Sequence, residues 1–127
     1  MPANAARTPS HSPDPASVLS KAVIRAADQL QLPRGALGRV LGLSAASVTR
    51  LHQGSLRLEP DSKPGELGLL LVRLFRSLDS IVGNPESART WLSTENLALN
   101  GVPKTLMLTP QGLVHVIDYL DAHRARG

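Results

Sequence analysis

Apolar positions along the chain recur at spacings of three and four, and no segment alternates cleanly over the length of a strand. Val18, Leu19, Ala22, Val23, Ala26, Ala27 and Leu30 keep helical register, predicting a helix over 17–30 with Ser17 as its cap. Pro33 stands where the first turn of the next helix is expected, a position at which its missing N–H costs nothing. Between Arg34 and Gln53 the pattern tightens. Leu37 and Leu41 lie four apart on one helical face, Val48 and Leu51 three apart on another, and Gly42 and Leu43 fall between. Two short helices packed across a tight glycine turn need that arrangement, which is the helix-turn-helix pattern. Ser44 follows the turn, where its hydroxyl can cap the second of the two helices, expected to end near Gly54.

Residues 55–65, with Pro60, Asp61 and Pro64, form a connection rich in turn formers. The following helix, about Glu66 to Val82, is strongly apolar. Leu67, Leu70, Leu71, Leu74, Phe75, Leu78 and Ile81 are expected to bury, at about 1.5–3 kcal/mol each, with Arg73, Arg76 and Asp79 opposite. This is the predicted central packing helix, with a stripe wide enough to feed a dimer interface as well. Asn84-Pro85-Glu86 is a compact helix start, combining cap, proline and first-turn acid, for a helix running to Trp91-Leu92. Residues 93–108 are irregular: Asn100-Gly101 suggests a turn and Pro103 forbids a continuous helix. Thr109-Pro110 repeats the cap-plus-proline start, and the last helix is expected to bury Leu113, Val116, Ile117 and Leu120.

An all-α fold follows, and composition narrows its class. The 127 residues fit one domain, or two small helical units sharing a core. With no cysteine, neither a disulfide framework nor a thiolate zinc site is possible. No apolar run approaches the roughly 20 residues of a membrane span. The N-terminus lacks the apolar core of a secretory signal, so a cytoplasmic location is expected. Phe75, Trp91 and Tyr119 are the only aromatics besides histidine, too few for a surface that stacks single-stranded bases. Residues 1–16, with four prolines and no apolar period, read as a disordered arm. The basic residues sort unevenly between the remaining segments, 17–58 and 59–127. The first carries Lys21, Arg25, Arg34, Arg39, Arg50 and Arg57 against Asp28 alone, an excess of five positive charges. The second carries seven basic and eight acidic side chains, so all the excess charge sits with the helix-turn-helix.

Phosphate neutralisation explains that coincidence. The second helix of the pair would present Ala45, Ala46, Thr49, Arg50 and Gln53 to a major groove. Arg50 is the best candidate for a base edge, because a guanidinium binds guanine bidentately. Ser44, Ser47, Thr49 and Gln53 are weaker candidates. Ala45 and Ala46 allow close approach, and Arg34 and Arg39 suit the phosphate backbone. So little hydrogen-bonding power per monomer calls for a dimer reading two half-sites. Catalysis has little support. His115 and Asp118 share a helix face without a third group, no phosphate-cradling glycine loop occurs, and no histidine pair has metal spacing. Neither enzyme activity nor a cofactor or metal is expected.

The second half carries a constellation running Arg73 with Arg76, Gly83, Trp91-Leu92, Asn96, Leu99, Gly101, Pro103, Leu106-Met107, Thr109, Gly112, Val116 and Leu120. Its specific part is W-L-x-x-x-N-x-x-L-x-G-x-x-P followed by L-M-x-T-x-x-G. In order and spacing this resembles the toxin-binding domain of the Xre/MbcA/ParS antitoxins, which follows an Xre-like helix-turn-helix as it does here. The chain departs from the family's pattern at Lys104-Thr105, at Leu108, and in the last helix around His123.

The resemblance implies an N-terminal Xre-like helix-turn-helix bundle, then a small helical domain that binds and blocks a cognate toxin. That toxin is most often a RES-domain enzyme that consumes NAD. It also implies a homodimer within a larger toxin–antitoxin complex, repressing its own operon through operator DNA. The candidate toxin-binding residues are Trp91, whose first expected place is the core or a subunit contact, with His115, Tyr119, His123, Arg124, Arg126 and Gly127, whose carboxylate could enter a phosphate-binding pocket. The chief alternative is a stand-alone helix-turn-helix regulator whose second domain only dimerises or senses a ligand. A third is an inhibitor whose helix-turn-helix no longer meets DNA.

Overall fold

The computed structural model describes residues 14–126, and among these seven helices and no strand occur. Gly127, together with Arg7 and His11 of the N-terminal arm, lies outside the described residues. The helices are α1 Pro15–Leu30, α2 Arg34–Leu41, α3 Ala45–Gln53, α4 Lys63–Val82, α5 Pro85–Ser93, α6 Pro103–Leu106 and α7 Pro110–Arg126.

Most ends follow their local chemistry, and three starts differ from the sequence expectation. The first helix begins at Pro15, inside the segment read as an arm, so Ser17 lies within the first turn and caps nothing. Proline at the first helical position sets φ for the helix, and Asp14 stands at the cap with its carboxylate turned to Arg57. Pro33 stands just before α2, at its N-cap position and without a side-chain cap bond, rather than in its first turn. Likewise α4 starts at Lys63, three residues earlier than Glu66, because the Ser62 hydroxyl accepts from the Gly65 N–H at 3.1 Å. Asn84 and Thr109 do the same for α5 and α7, accepting from Ser87 N–H at 2.8 Å and Gly112 N–H at 3.1 Å.

A single hydrophobic core runs through the molecule from Leu19 to Leu120. The α4 helix is its axis, packing against α7, α1, α2 and α5. Leu71, Leu74 and Leu78 are wholly buried, as are Leu37 and Leu41 of α2 and Leu113 and Val116 of α7. The stripe is narrower than its composition suggests: Leu70 and Phe75 are half-buried, and Ile81 is 42% exposed. Ile81 sits in the last turn of α4, where the chain turns away toward α5.

Polar ties reinforce the joints between elements. The buried Ser20 hydroxyl donates to the Ala16 carbonyl at 2.7 Å and accepts from the Leu58 N–H at 2.8 Å. It thereby fixes the 54–62 connection to α1. Arg89 of α5 donates to the Gln29 carbonyl at 2.9 Å, near the end of α1. Asn96 and Gly101 form an isolated antiparallel bridge, with Asn100 in the left-handed region at φ 59°. That loop is the turn expected from Asn100-Gly101.

Candidate functional site

The helix-turn-helix is built by two glycines with different jobs. Gly42 ends α2 at φ 72°, where a side chain would be strained. Gly38 lets the helices close: a Cβ there would lie 2.8 Å from the Leu43 carbonyl oxygen and 3.3 Å from Val48 Cγ2. With Val48 and Leu51 held in the core, α3 turns Ala45, Ala46, Arg50 and Gln53 to solvent. Thr49 is half-buried, at the edge of that face.

A polar ladder runs along the exposed side of α3. The Ser44 hydroxyl accepts from the Ser47 N–H at 3.2 Å and donates to the Ser47 hydroxyl at 3.2 Å. Arg50 Nη2 in turn donates to Ser47 Oγ at 3.1 Å. Ser44 therefore acts as the helix cap, and Ser47 steadies a guanidinium whose remaining donors face outward. Arg34 and Arg39 are exposed on α2, and neither forms an ion pair among the described residues. This surface is cationic and led by an exposed helix, the form that enters a major groove.

The second surface lies where α5 meets α7. Trp91 stacks on Tyr119, with ring centroids 6.2 Å apart and planes 23° from parallel. Tyr119 meets the His123 ring at 4.2 Å, and His123 Nδ1 lies 3.1 Å from the Tyr119 carbonyl oxygen. Trp91 and Tyr119 are half-buried, so each keeps one edge in the core and one in water. His115 is exposed one turn before Tyr119. Thus Trp91, Tyr119 and His123 form one aromatic column, with His115 extending its line along α7. Arg126 is exposed at the end of the described helix.

Arg124 is drawn partly inward, its Nη2 lying 3.7 Å from Asp121 Oδ1. Asp121 is the structural tie of this region that the sequence reading did not single out. The Ser77 hydroxyl donates to its Oδ1 at 2.8 Å, and Arg73 pairs with its Oδ2. The Ser77 hydrogen bond is the main reason the Asp121 carboxyl is held below its ordinary value of 3.8. Partial burial opposes that shift, and the Arg73 and Arg124 guanidiniums add to it. These contacts join residues 44 and 48 apart in sequence, and no local pattern announces them. They clamp the C-terminal half of α7 to α4.

Because the carboxylate form is favoured by folding, its contribution is present above the unfolded value and lost as pH falls through the lowered folded one. Asp121→Asn is expected to cost about 1 kcal/mol or less at pH 7, the scale of a partly exposed ion pair. Thermal melts of both proteins should show that difference narrowing as pH falls below 3.8. A difference independent of pH would mean the carboxylate does not clamp α7.

These two surfaces coincide with two known domains. Residues 9–73 match the antitoxin Xre-like helix-turn-helix domain, and residues 77–126 match the antitoxin Xre/MbcA/ParS C-terminal toxin-binding domain. The chain belongs to the Xre-type antitoxins, joining a helix-turn-helix to a domain that binds a toxin. No curated protein matches it. The two matched regions meet inside α4, the helix that both halves share.

Proposed function

We propose that this antitoxin blocks a RES-type, NAD-consuming toxin with the α5–α7 surface and represses its own operon, as a homodimer, through α3. The observation that carries this reading is the pair of surfaces on one scaffold. One is a cationic helix with a steadied Arg50, the other an aromatic column beside a cationic helix end. An enzyme that handles an anionic dinucleotide needs a cationic pocket, and a rigid helix with aromatic edges can fill the mouth of such a pocket. Trp91, Tyr119 and His123 supply the rigid contact area, while His115, Arg124 and Arg126 supply polar groups. Residues 17–58 form the DNA-binding region and 59–127 the toxin-binding and dimerising region, with Ser44, Ala45, Ala46, Ser47, Thr49, Gln53, Arg34 and Arg39 around Arg50. One α3 offers few hydrogen-bonding groups, so reading by a dimer supports the repressor role.

Co-expression with the product of the adjacent gene, followed by co-purification and a growth test, checks the first half. A stable complex with rescued growth supports the reading; toxicity unaffected by this chain overturns it. Operator binding checks the second half. Affinity for DNA from the chain's own promoter should fall steeply with salt as phosphate contacts are screened. Arg50→Ala should cost about 1–3 kcal/mol and relax specificity at one base pair. Equal loss on unrelated DNA would make Arg50 a phosphate contact instead.

A further inference from the structure

A cleft of about 370 Å³ opens between α1 and α4, away from the aromatic column. Its walls carry Lys21 and Arg25, one turn apart on α1, and Arg76, across from them on α4. Phe75 lines the same cleft, and Ala22 and Ala26 leave it roomy and apolar at the base. No carboxylate lines it. The ion pairs among the described residues engage Arg57, Lys63, Arg73 and Arg124, and none engages Lys21, Arg25 or Arg76. Three like charges thus border one cavity with no carboxylate in its lining, and Lys21 and Arg25, four apart on one helix, repel each other in the free protein. The neighbouring Arg73 shows the contrast, since Asp121 neutralises it.

We propose that this cleft binds a small phosphorylated molecule with a flat apolar body, of the nucleoside phosphate class. Two guanidiniums and an ammonium match a multiply charged phosphate, because arginine forks bind its oxygens in pairs. An aromatic ring beside them offers a face on which a base can stack. A cavity of this size lies within the range of small-molecule sites. A carboxylate alone would leave most of that charge unanswered, and a purely apolar ligand would leave all of it.

The test is calorimetric titration of the purified full chain with ADP, pyrophosphate and adenosine. ADP is expected to bind, pyrophosphate more weakly, and adenosine not measurably. The double variant Arg25→Ala, Arg76→Ala should weaken ADP by about tenfold or more, as the loss of charge-assisted hydrogen bonds requires. Lys63→Ala with Lys104→Ala removes the same charge elsewhere on the surface and should leave ADP binding unchanged. Phe75→Leu keeps apolar volume without the ring, so it should weaken ADP several-fold and leave pyrophosphate alone. Circular dichroism confirms that each variant is folded. Absence of ADP binding at millimolar concentration overturns the proposal, as does equal weakening by the lysine pair. If the arginine pair lowers affinity for duplex DNA and ADP does not bind, the cleft is a backbone contact for DNA and the proposal fails.

Discussion

Leu71→Ala is expected to destabilise the entire chain by about 2–5 kcal/mol and to lower its Tm by roughly 10–20 °C. Leu71 is wholly buried at the middle of α4, in the core that runs from Leu19 to Leu120. Truncation there removes about three methylene equivalents of buried surface and leaves a cavity that the surrounding core fills only in part. The loss is a large fraction of the 5–15 kcal/mol that typically separates folded from unfolded states. Urea titration provides the measurement, with two probes. Fluorescence of the single tryptophan, Trp91, reports the α5–α7 surface, and far-ultraviolet circular dichroism reports all the helices. Both midpoints should move together by the same amount. Movement of one alone would mean that α4 does not unite the core.

Gly112→Ala should be nearly as damaging, by a different route. A Cβ at Gly112 would lie 1.8 Å from the Leu106 carbonyl oxygen and 2.7 Å from its carbon. Backbone cannot yield there as a flexible side chain would, so the first turn of α7 must lift away from α6. Overpacking of this kind costs typically 1–3 kcal/mol, occasionally more. The Thr109 cap, which accepts from the Gly112 N–H, would be strained in the same movement. Tyr119 and His123 ride on α7, and their register against Trp91 would shift with it. Capture of the toxin by the variant is therefore expected to weaken well beyond its loss of stability. DNA binding, proposed above to run through α3, should persist at temperatures where the variant is folded. A pull-down with the toxin beside a DNA titration separates the two effects, and unimpaired capture would sink the prediction.

Much of this architecture is legible in the chain. The register of Leu37, Leu41, Val48 and Leu51 around Gly42 is enough to place α2 and α3, because a glycine turn and a serine cap are local devices. The aromatic column is half-legible. His115, Tyr119 and His123 recur at four-residue spacing, but only tertiary structure sets Trp91 on Tyr119. The Asp121 clamp is not legible, since its partners lie on another helix and any acidic residue on an amphipathic helix looks solvated. Ile81 shows the opposite failure. Its spacing fits the apolar stripe, but the chain leaves the core one turn too early for it to bury. Apolar register points to helix starts at Ser17 and Glu66, and Pro15 and Ser62 show that proline and cap chemistry a few residues upstream outweigh it there. Gly38 and Gly112 carry meaning only once the carbonyls facing them are placed.

The sharing of α4 bears on how such a protein can diversify. It packs against α1, α2, α5 and α7 alike, and the two matched domains join within its length. A chimera made by exchanging halves between two antitoxins would have to splice one helix and reconcile two leucine stripes at once. Recombination at the 54–62 connection would leave α1 and α2 facing a foreign α4. Change of partner on this scaffold is therefore expected to come by point substitution along α5 and α7, under a helix that stays constant, rather than by exchange of modules.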